Sequence, residues 1–168
     1  MLEHVRSGAL DVALVYGPAD IRLDANTTSH CLGTIPLVFV APGTRRRPGV
    51  RALTEVATES WVLNPEGCGF RAIVWALLES IDAPLQVAVE AHGIDLQLAL
   101  VARGAGVSLV PQASLRRSRV RTQVHAFRVQ GHDCRLGVWL VSGRLPTMLT
   151  PVVTMLHAHL ARLLRHTE

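Results

Sequence analysis

The sequence predicts an α/β fold, and three observations carry that expectation. Apolar runs of strand length alternate with segments of helical spacing through most of the chain, the order expected of mainly parallel strands. Within Val87–Gln112, VAVEAHGIDLQLALVARGAGVSLVPQ, that order is complete: strand, turn, helix, glycine turn, strand. The 168 residues, 49% hydrophobic and 18% charged, suffice for a real core in one domain or two small lobes.

Taken in order, Leu2–Ser7 reads as the end of a helix stopped by Gly8. Leu10–Tyr16 (LDVALVY) is a nearly continuous apolar run, hence a buried strand, and Gly17-Pro18-Ala19-Asp20 leads into a polar loop. Cys31–Ala41 is long and rich in β-branched residues, with Pro36 at a bend or an edge. A proline, glycine and arginine loop follows at 42–48. Val50–Thr58 has modest helical patterning, and Trp61–Leu63 is a short strand. The turn Asn64-Pro65-Glu66-Gly67-Cys68-Gly69 then feeds a helix. Its Phe70, Ile73, Val74, Leu77, Leu78 and Ile81 share one face, leaving Arg71 and Glu79 toward water. Asp82-Ala83-Pro84 ends it.

In the next stretch, Val87 and Val89 alternate with smaller or polar residues, as in a strand. Ala91-His92-Gly93 breaks the run, and Ile94–Arg103 places Ile94, Leu98 and Val101 at helical spacing. Gly104 and Gly106 bracket the turn into a second buried strand, Val107–Val110, closed by Pro111. Such a unit is a right-handed parallel crossover, and ligands gather at the carboxyl ends of its strands, here near Ala91–Ile94 and Pro111–Gln112. An arginine-rich connection leads to Val124–Val129, a turn at Gly131-His132-Asp133 and the strand Arg135–Val141. Thr150 caps a final helix with Pro151 at its first position and Val152, Val153, Leu156, Leu160, Leu163 and Leu164 on one face. The Leu10–Tyr16 strand and the last strand and helix have few sequence-local partners. Two lobes account for this: a middle lobe, and an outer one assembled from both chain ends, with Cys31–Ala41 and Val107–Phe127 crossing between them.

With these elements placed, the chain resembles the effector-binding domain of LysR-type transcriptional regulators. The match is carried by SGALDVALVYGP, LVFVAPG, WVLNPEGCGFRAIV, VEAHGIDLQLALVARGAGVSLVPQ and VWLVSG…LTPVVTMLHAHLARLL, in the family's order over essentially the whole chain. The resemblance implies a two-lobed fold similar to type 2 periplasmic binding proteins, with two crossover hinge strands. Residues 1–40 and 122–168 would form lobe I and residues 41–121 lobe II. Lobe I is expected to be incomplete, because the family's winged helix-turn-helix, linker helix and first strand–helix–strand lie before the matched region. The resemblance further implies a small, anionic metabolite bound between the lobes and a homodimer or higher homo-oligomer. A cytoplasmic protein without membrane contact is expected because MLEHVRSGALD lacks a signal peptide's basic-then-apolar order and no apolar run reaches bilayer length. DNA would be reached only through a helix-turn-helix domain absent from this chain.

The expected ligand-binding residues stand at strand ends: Tyr16, Gly17 and Pro18; Asn64, Pro65, Glu66, Gly67, Cys68 and Gly69; His92, Gly93 and Ile94; Pro111 and Gln112. At Asn64–Gly69 the backbone N–H groups of a helix start favour an anion, and glycines allow close approach. The plain alternative is a turn built by Gly67 and Gly69. His92 is a titratable group at the expected mouth or an ordinary surface histidine. Cys68 is a small turn residue or a thiol acidified by the helix start.

Other chemistry is poorly represented. No catalytic residue, metal site or cofactor is expected, because the chain has no G-x-S-x-G elbow, P-loop or H-E-x-x-H. His157 and His159 stand two apart on a helix and cannot chelate together, while His132-Asp133-Cys134 lacks a second half. Cys31, Cys68 and Cys134 are too few and too scattered for a disulfide framework. No apolar run is long enough to span a bilayer. The net charge of +4 comes from 17 basic residues, all arginine, whose clusters at Arg45–Arg47 and Arg116–Arg121 lack interleaved aromatics and read as solvated loops rather than nucleic-acid contacts. The rival functions on the same fold are a prephenate-dehydratase-like lyase, whose Thr-Arg-Phe signature is absent, and a solute-binding receptor, which needs a signal peptide.

Overall fold

The computed structural model describes residues 2–17, 27–44 and 49–165. Along them run α1 (Leu2–Arg6), β1 (Val12–Gly17), β2 (Thr28–Pro42), β3 (Val50–Arg51), α2 (Leu53–Ala57), β4 (Trp61–Leu63), α3 (Gly69–Glu79) and β5 (Val87–Glu90). Then come α4 (Ile94–Ala102), β6 (Ser108–Pro111), α5 (Gln112–Arg117), β7 (Val124–Val129), β8 (Arg135–Ser142), a 3-10 turn (Thr147–Leu149) and α6 (Thr150–Arg165). Two compact units result: Met1–Ile35 with Arg135–Glu168, and Pro36–Cys134. The chain thus changes unit inside β2, at Ile35/Pro36, and again at Cys134/Arg135 after β7. Val107–Phe127, expected to cross, lies wholly in the second unit. The reason is that β6 and β7 pair with Leu37–Pro42 of β2.

In the second unit, strand periodicity sorts side chains into two cores. Phe39, Ala41, Trp61, Leu63, Leu109 and Phe127 pack with Val74 and Leu78 of α3. Their neighbours Val38, Val40, Val62 and Val110 pack instead with Leu98 and Val101 of α4. Successive residues of a strand point to opposite faces, so one apolar run serves both cores. Each fully buried Val, Leu or Phe side chain contributes roughly 1.5–3 kcal/mol. The α3 stripe is Phe70, Val74 and Leu78; Ile81 falls beyond the helix end and is 37% exposed.

The expectation of mainly parallel strands fails. Strands β4 and β5 are parallel, as are β3 and β7, and Trp61 bridges Val107 in parallel. But β2 runs antiparallel to β6 and β7, and β1 antiparallel to β8. Apolar periodicity marks a strand's buried faces and leaves its direction open. In the crossover stretch, β4 lies between β5 and the start of β6: Val62 N–H donates to Val107 O at 2.8 Å, and Val107 N–H to Ser60 O at 2.8 Å. That close approach requires Gly106, whose φ is +152° and where a Cβ would meet Ser60 O at 2.3 Å.

The same unit buries a charge. The Arg51 side chain is 0% exposed, its NH2 2.8 Å from Glu59 Oε1 and its Nε 3.6 Å from Glu55 Oε2. Its guanidinium carbon lies 4.9 Å from the centre of the Phe127 ring.

In the first unit, β1 pairs with β8 from Val12↔Ser142 to Gly17↔Gly137, and β8 neighbours β2. On one face α6 packs Val153, Leu160, Ala161 and Leu164 against Leu32, Val138 and Leu140. On the other, α1 packs Val5 against Ala13 and Val141. The seam of α6 is therefore 153, 160, 161 and 164, while Val152, Leu156 and Leu163, expected on the same face, are exposed. Nor is β1 buried on both faces. Ala13 is covered, but Leu14 and Tyr16 are 43% and 51% exposed, because the core packed by α6 takes in only Val12 from that face of β1. The short helix α5, where only a connection was expected, is anchored by Leu115 against the second unit's core.

Candidate functional site

Strands β4, β5 and β6 point the same way, so their carboxyl ends share one edge of the second unit. Each hands over to a helix there: β4 through Asn64–Cys68 to α3, β5 through Ala91–Gly93 to α4, and β6 directly to α5. Neither α3 nor α4 has a side-chain cap at its start. The first bond of α3's own ladder is Ala72 N–H to Cys68 O at 3.1 Å, and that of α4 is Gln97 N–H to Gly93 O at 3.2 Å. The amides before them lie outside the helical ladders, and the helix dipoles add positive potential at that edge. Positive φ at Gly67 (+80°) and Gly93 (+86°) lets both turns expose backbone that a side chain would cover.

Two arrangements hold these turns. Ala91 N–H donates to Leu63 O at 2.9 Å, fixing the second turn beside the end of β4. Arg71, expected to face water, has a side chain only 16% exposed and clasps the first turn. Its NH1 donates to Glu90 Oε1 and, at 3.4 Å, to Asn64 O, and its NH2 donates to Glu66 Oε1 at 3.3 Å. Behind them Gln97, 0% exposed, donates from Nε2 to Ala91 O at 3.1 Å and accepts from Ser108 Oγ at 3.4 Å. A buried side chain with both amide atoms engaged sets the carbonyl direction at Ala91.

Of the expected site residues, Asn64 and Pro65 are half-buried, with Asn64 Oδ1 buried and unpartnered. Glu66, Gly67, His92 and Gly93 are exposed, while Cys68, Gly69, Pro111 and Gln112 are intermediate. Ile94 serves the core instead, packed beside Leu98. Tyr16 and Gly17 close β1 in the first unit, Tyr16 exposed and Gly17 buried. Pro18 lies outside the described residues, as do Arg45–Arg47.

Sequence reasoning missed Gln97, Arg71 and Glu90. Gln97 had a readable signal, since it falls with Ile94, Leu98 and Val101 on the inward stripe of its helix. The Arg71–Glu90 pair had none, because its members stand 19 residues apart on different elements. Cys134 is buried, and desolvation, with Asp133 nearby, pushes its thiol up to about 11, the opposite of a reactive cysteine. Among the described residues, no group of three His, Cys, Asp or Glu side chains could hold a metal ion, and no helix is long and apolar enough to cross a membrane.

The sequence model of the LysR substrate binding domain matches residues 1–164. The chain belongs to this family. Solved structures agree in fold. A putative LysR family regulator from Pseudomonas aeruginosa is 16% identical with a TM-score of 0.72, over 97% of this chain and 56% of that one. An OxyR mutant from Corynebacterium glutamicum is 17% identical with a TM-score of 0.77, over 99% and 52%. The effector-binding domain of QuiR in complex with shikimate is 15% identical with a TM-score of 0.74, over 95% and 74%. The LysR-type domain therefore spans little more than half the length of the first two relatives. No curated protein sequence matches the chain.

Proposed function

We propose that this LysR-type domain senses a small, anionic metabolite in a bacterial transcription regulator, and that the effector engages the carboxyl edge of β4, β5 and β6. The observation that carries the reading is that edge itself: two uncapped helix starts, α3 and α4, meet there in a chain matching the family over residues 1–164. The ligands named for two solved relatives, shikimate for QuiR and 2-PG for a Synechocystis CcmR regulatory domain, are likewise small molecules.

Asn64–Gly69 and His92–Gly93 supply the backbone donors and Pro111–Gln112 a flank. Arg71 already serves two carboxylates, and Glu66, 86% exposed and at 3.3 Å, is the one an incoming acid displaces. Binding shifts the domain between conformers by no more than the effector's differential affinity for them. In the whole cytoplasmic regulator the shift reaches DNA through a separate helix-turn-helix domain and a homodimer or higher homo-oligomer, where dimer geometry sets the spacing of half-sites. The domain acts as a sensor and not an enzyme: Arg71 engages Glu66 and Glu90, which gives these two carboxylates a structural role at the turn.

A thermal-shift screen of small organic acids tests the reading. A hit raises the melting temperature, Gly69→Phe abolishes that rise while keeping the unliganded melting temperature, and the hit is recovered chemically unchanged. A rise that survives Gly69→Phe undiminished would place the effector elsewhere.

A further inference from the structure

We propose that the first unit carries a second, separate binding site for a small organic acid, at the end of its sheet remote from the unit change. A cavity of about 430 Å³ opens there, where β8 ends, β2 begins and α6 starts. Its charged and polar wall includes His30, Arg144, Thr28 and Thr150, and its apolar wall includes Leu145 and Val153. Thr28 stands seven residues before Ile35, where the chain leaves the unit. At strand rise that places the cavity about 23 Å from the crossing.

The chemistry selects the ligand. Among the described residues, no Asp or Glu lines the cavity. Arg144 is exposed and, among the described residues, has no carboxylate partner. His30 lines the same hollow, its ring 5.1 Å from that of His157 on α6. A guanidinium free of internal partners is the side chain best matched to a carboxylate or phosphate fork. Threonine hydroxyls at positions 28 and 150 add neutral donors, whereas that of Thr154 is already spent on Thr150 O at 2.9 Å. The cavity's volume exceeds what a bare ion needs and falls in the range of small-molecule sites, and Leu145 with Val153 gives an apolar body somewhere to rest. A neighbouring hollow of about 440 Å³ also touches Arg144, and there Asp11 stands among the lining residues beside Arg6, whereas the first hollow sets no carboxylate among its described lining residues. Gly143, shared by both, keeps the backbone tight, because a Cβ there would stand 2.9 Å from Val5 O.

The test uses the 168-residue chain, with benzoate, phenyl phosphate and sulfate as probes in amide NMR titrations. Benzoate or phenyl phosphate shifts the amides of Gly143, Arg144 and Thr154 saturably, and the tighter of the two identifies the acid group. Arg144→Gln weakens that probe at least ten-fold, Val153→Phe, which fills the apolar wall, removes binding, and Gly69→Phe changes nothing. An affinity unaltered by Arg144→Gln, or sulfate binding as tightly as benzoate, overturns the assignment. Shifts confined to residues 64–69 and 92–94 overturn it too, while leaving the sensing edge of the second unit intact.

Discussion

Removing Glu59 should cost this domain far more than removing Glu55, although both face the same arginine. Arg51 is fully buried, with Nε and NH1 lacking hydrogen-bond partners, so its charge depends on NH2, which reaches Glu59 Oε1 at 2.8 Å and Glu55 O at 3.3 Å. Deleting one partner of a buried ion pair leaves an uncompensated charge, worth about 3–5 kcal/mol. Glu55, whose carboxylate is 3.6 Å from Nε, can swing inward and recover part of this, which puts Glu59→Ala near the lower bound, about 3 kcal/mol. For a chain of this length that is a fall of roughly 6–12 °C in melting temperature. Glu55 is 59% exposed, so Glu55→Ala should cost only a few tenths of a kcal/mol, about the worth of an exposed i,i+4 pair. Urea unfolding followed by the fluorescence of Trp61, which packs beside Phe39, reads the difference within the second unit. The double variant Arg51→Met/Glu59→Leu removes the charge as well as its partner and should regain at least half of the loss. Equal costs for the two glutamates, or a double variant no better than Glu59→Ala, would refute the reasoning.

Two further outcomes rest on other parts of the fold. Gly106→Ala forces a Cβ to within 2.3 Å of Ser60 O at a φ of +152°, so it should open the Ser60–Val107 pairing and destabilise by several kcal/mol; Gly131→Ala, with nothing within 4 Å, should cost about 1 kcal/mol from its positive φ alone. Cys134 ionises near 9.0 when unfolded and near 11 when folded. The stability it contributes is therefore fully present below pH 9 and is lost as pH rises from there through 11, up to about 3 kcal/mol. Cys134→Ala should flatten that part of the stability profile, and iodoacetamide at pH 8 should label the exposed Cys31 long before Cys134.

Much of the architecture was legible because burial writes itself into spacing. Trp61–Leu63 and Leu136–Val141 are apolar or glycine on successive residues and are indeed covered on both faces, and α3 buries Phe70, Val74 and Leu78 at the expected intervals. What stayed hidden depends on partners distant in sequence. Strand direction follows from which strand lies alongside, and nothing in LDVALVY says that β1 will run against β8 or leave Tyr16 half in water. Six residues at Gln112–Arg117 have too little helical pattern to stand out, and they fold because Leu115 finds the core. At the candidate site the turns were readable from Gly67, Gly69 and Gly93. The clasp by Arg71 was not, since it needs Glu90 brought alongside by the β4–β5 pairing.

That division of labour accounts for how chains only 15–17% identical keep TM-scores of 0.72–0.77 with this one. The fold rests on residues such as Val62, Leu98, Val101 and Gln97, each 0% exposed, where a change leaves a void or an unpaired polar atom. The edge rests on Glu66, Gly67, His92 and Gly93, which are exposed and carry little packing. Substituting Glu66 or His92 costs the fold little, yet alters the polar groups beside two helix starts whose positions the core has already set. With the effector at the proposed edge, selectivity can then drift at the turns while strand order and helix placement stay fixed. The test is the pair Glu66→Gln and Leu98→Ala: the first should change which acids bind at nearly constant melting temperature, the second should lower the melting temperature by the equivalent of about 2–5 kcal/mol and leave the order of preference among acids unchanged.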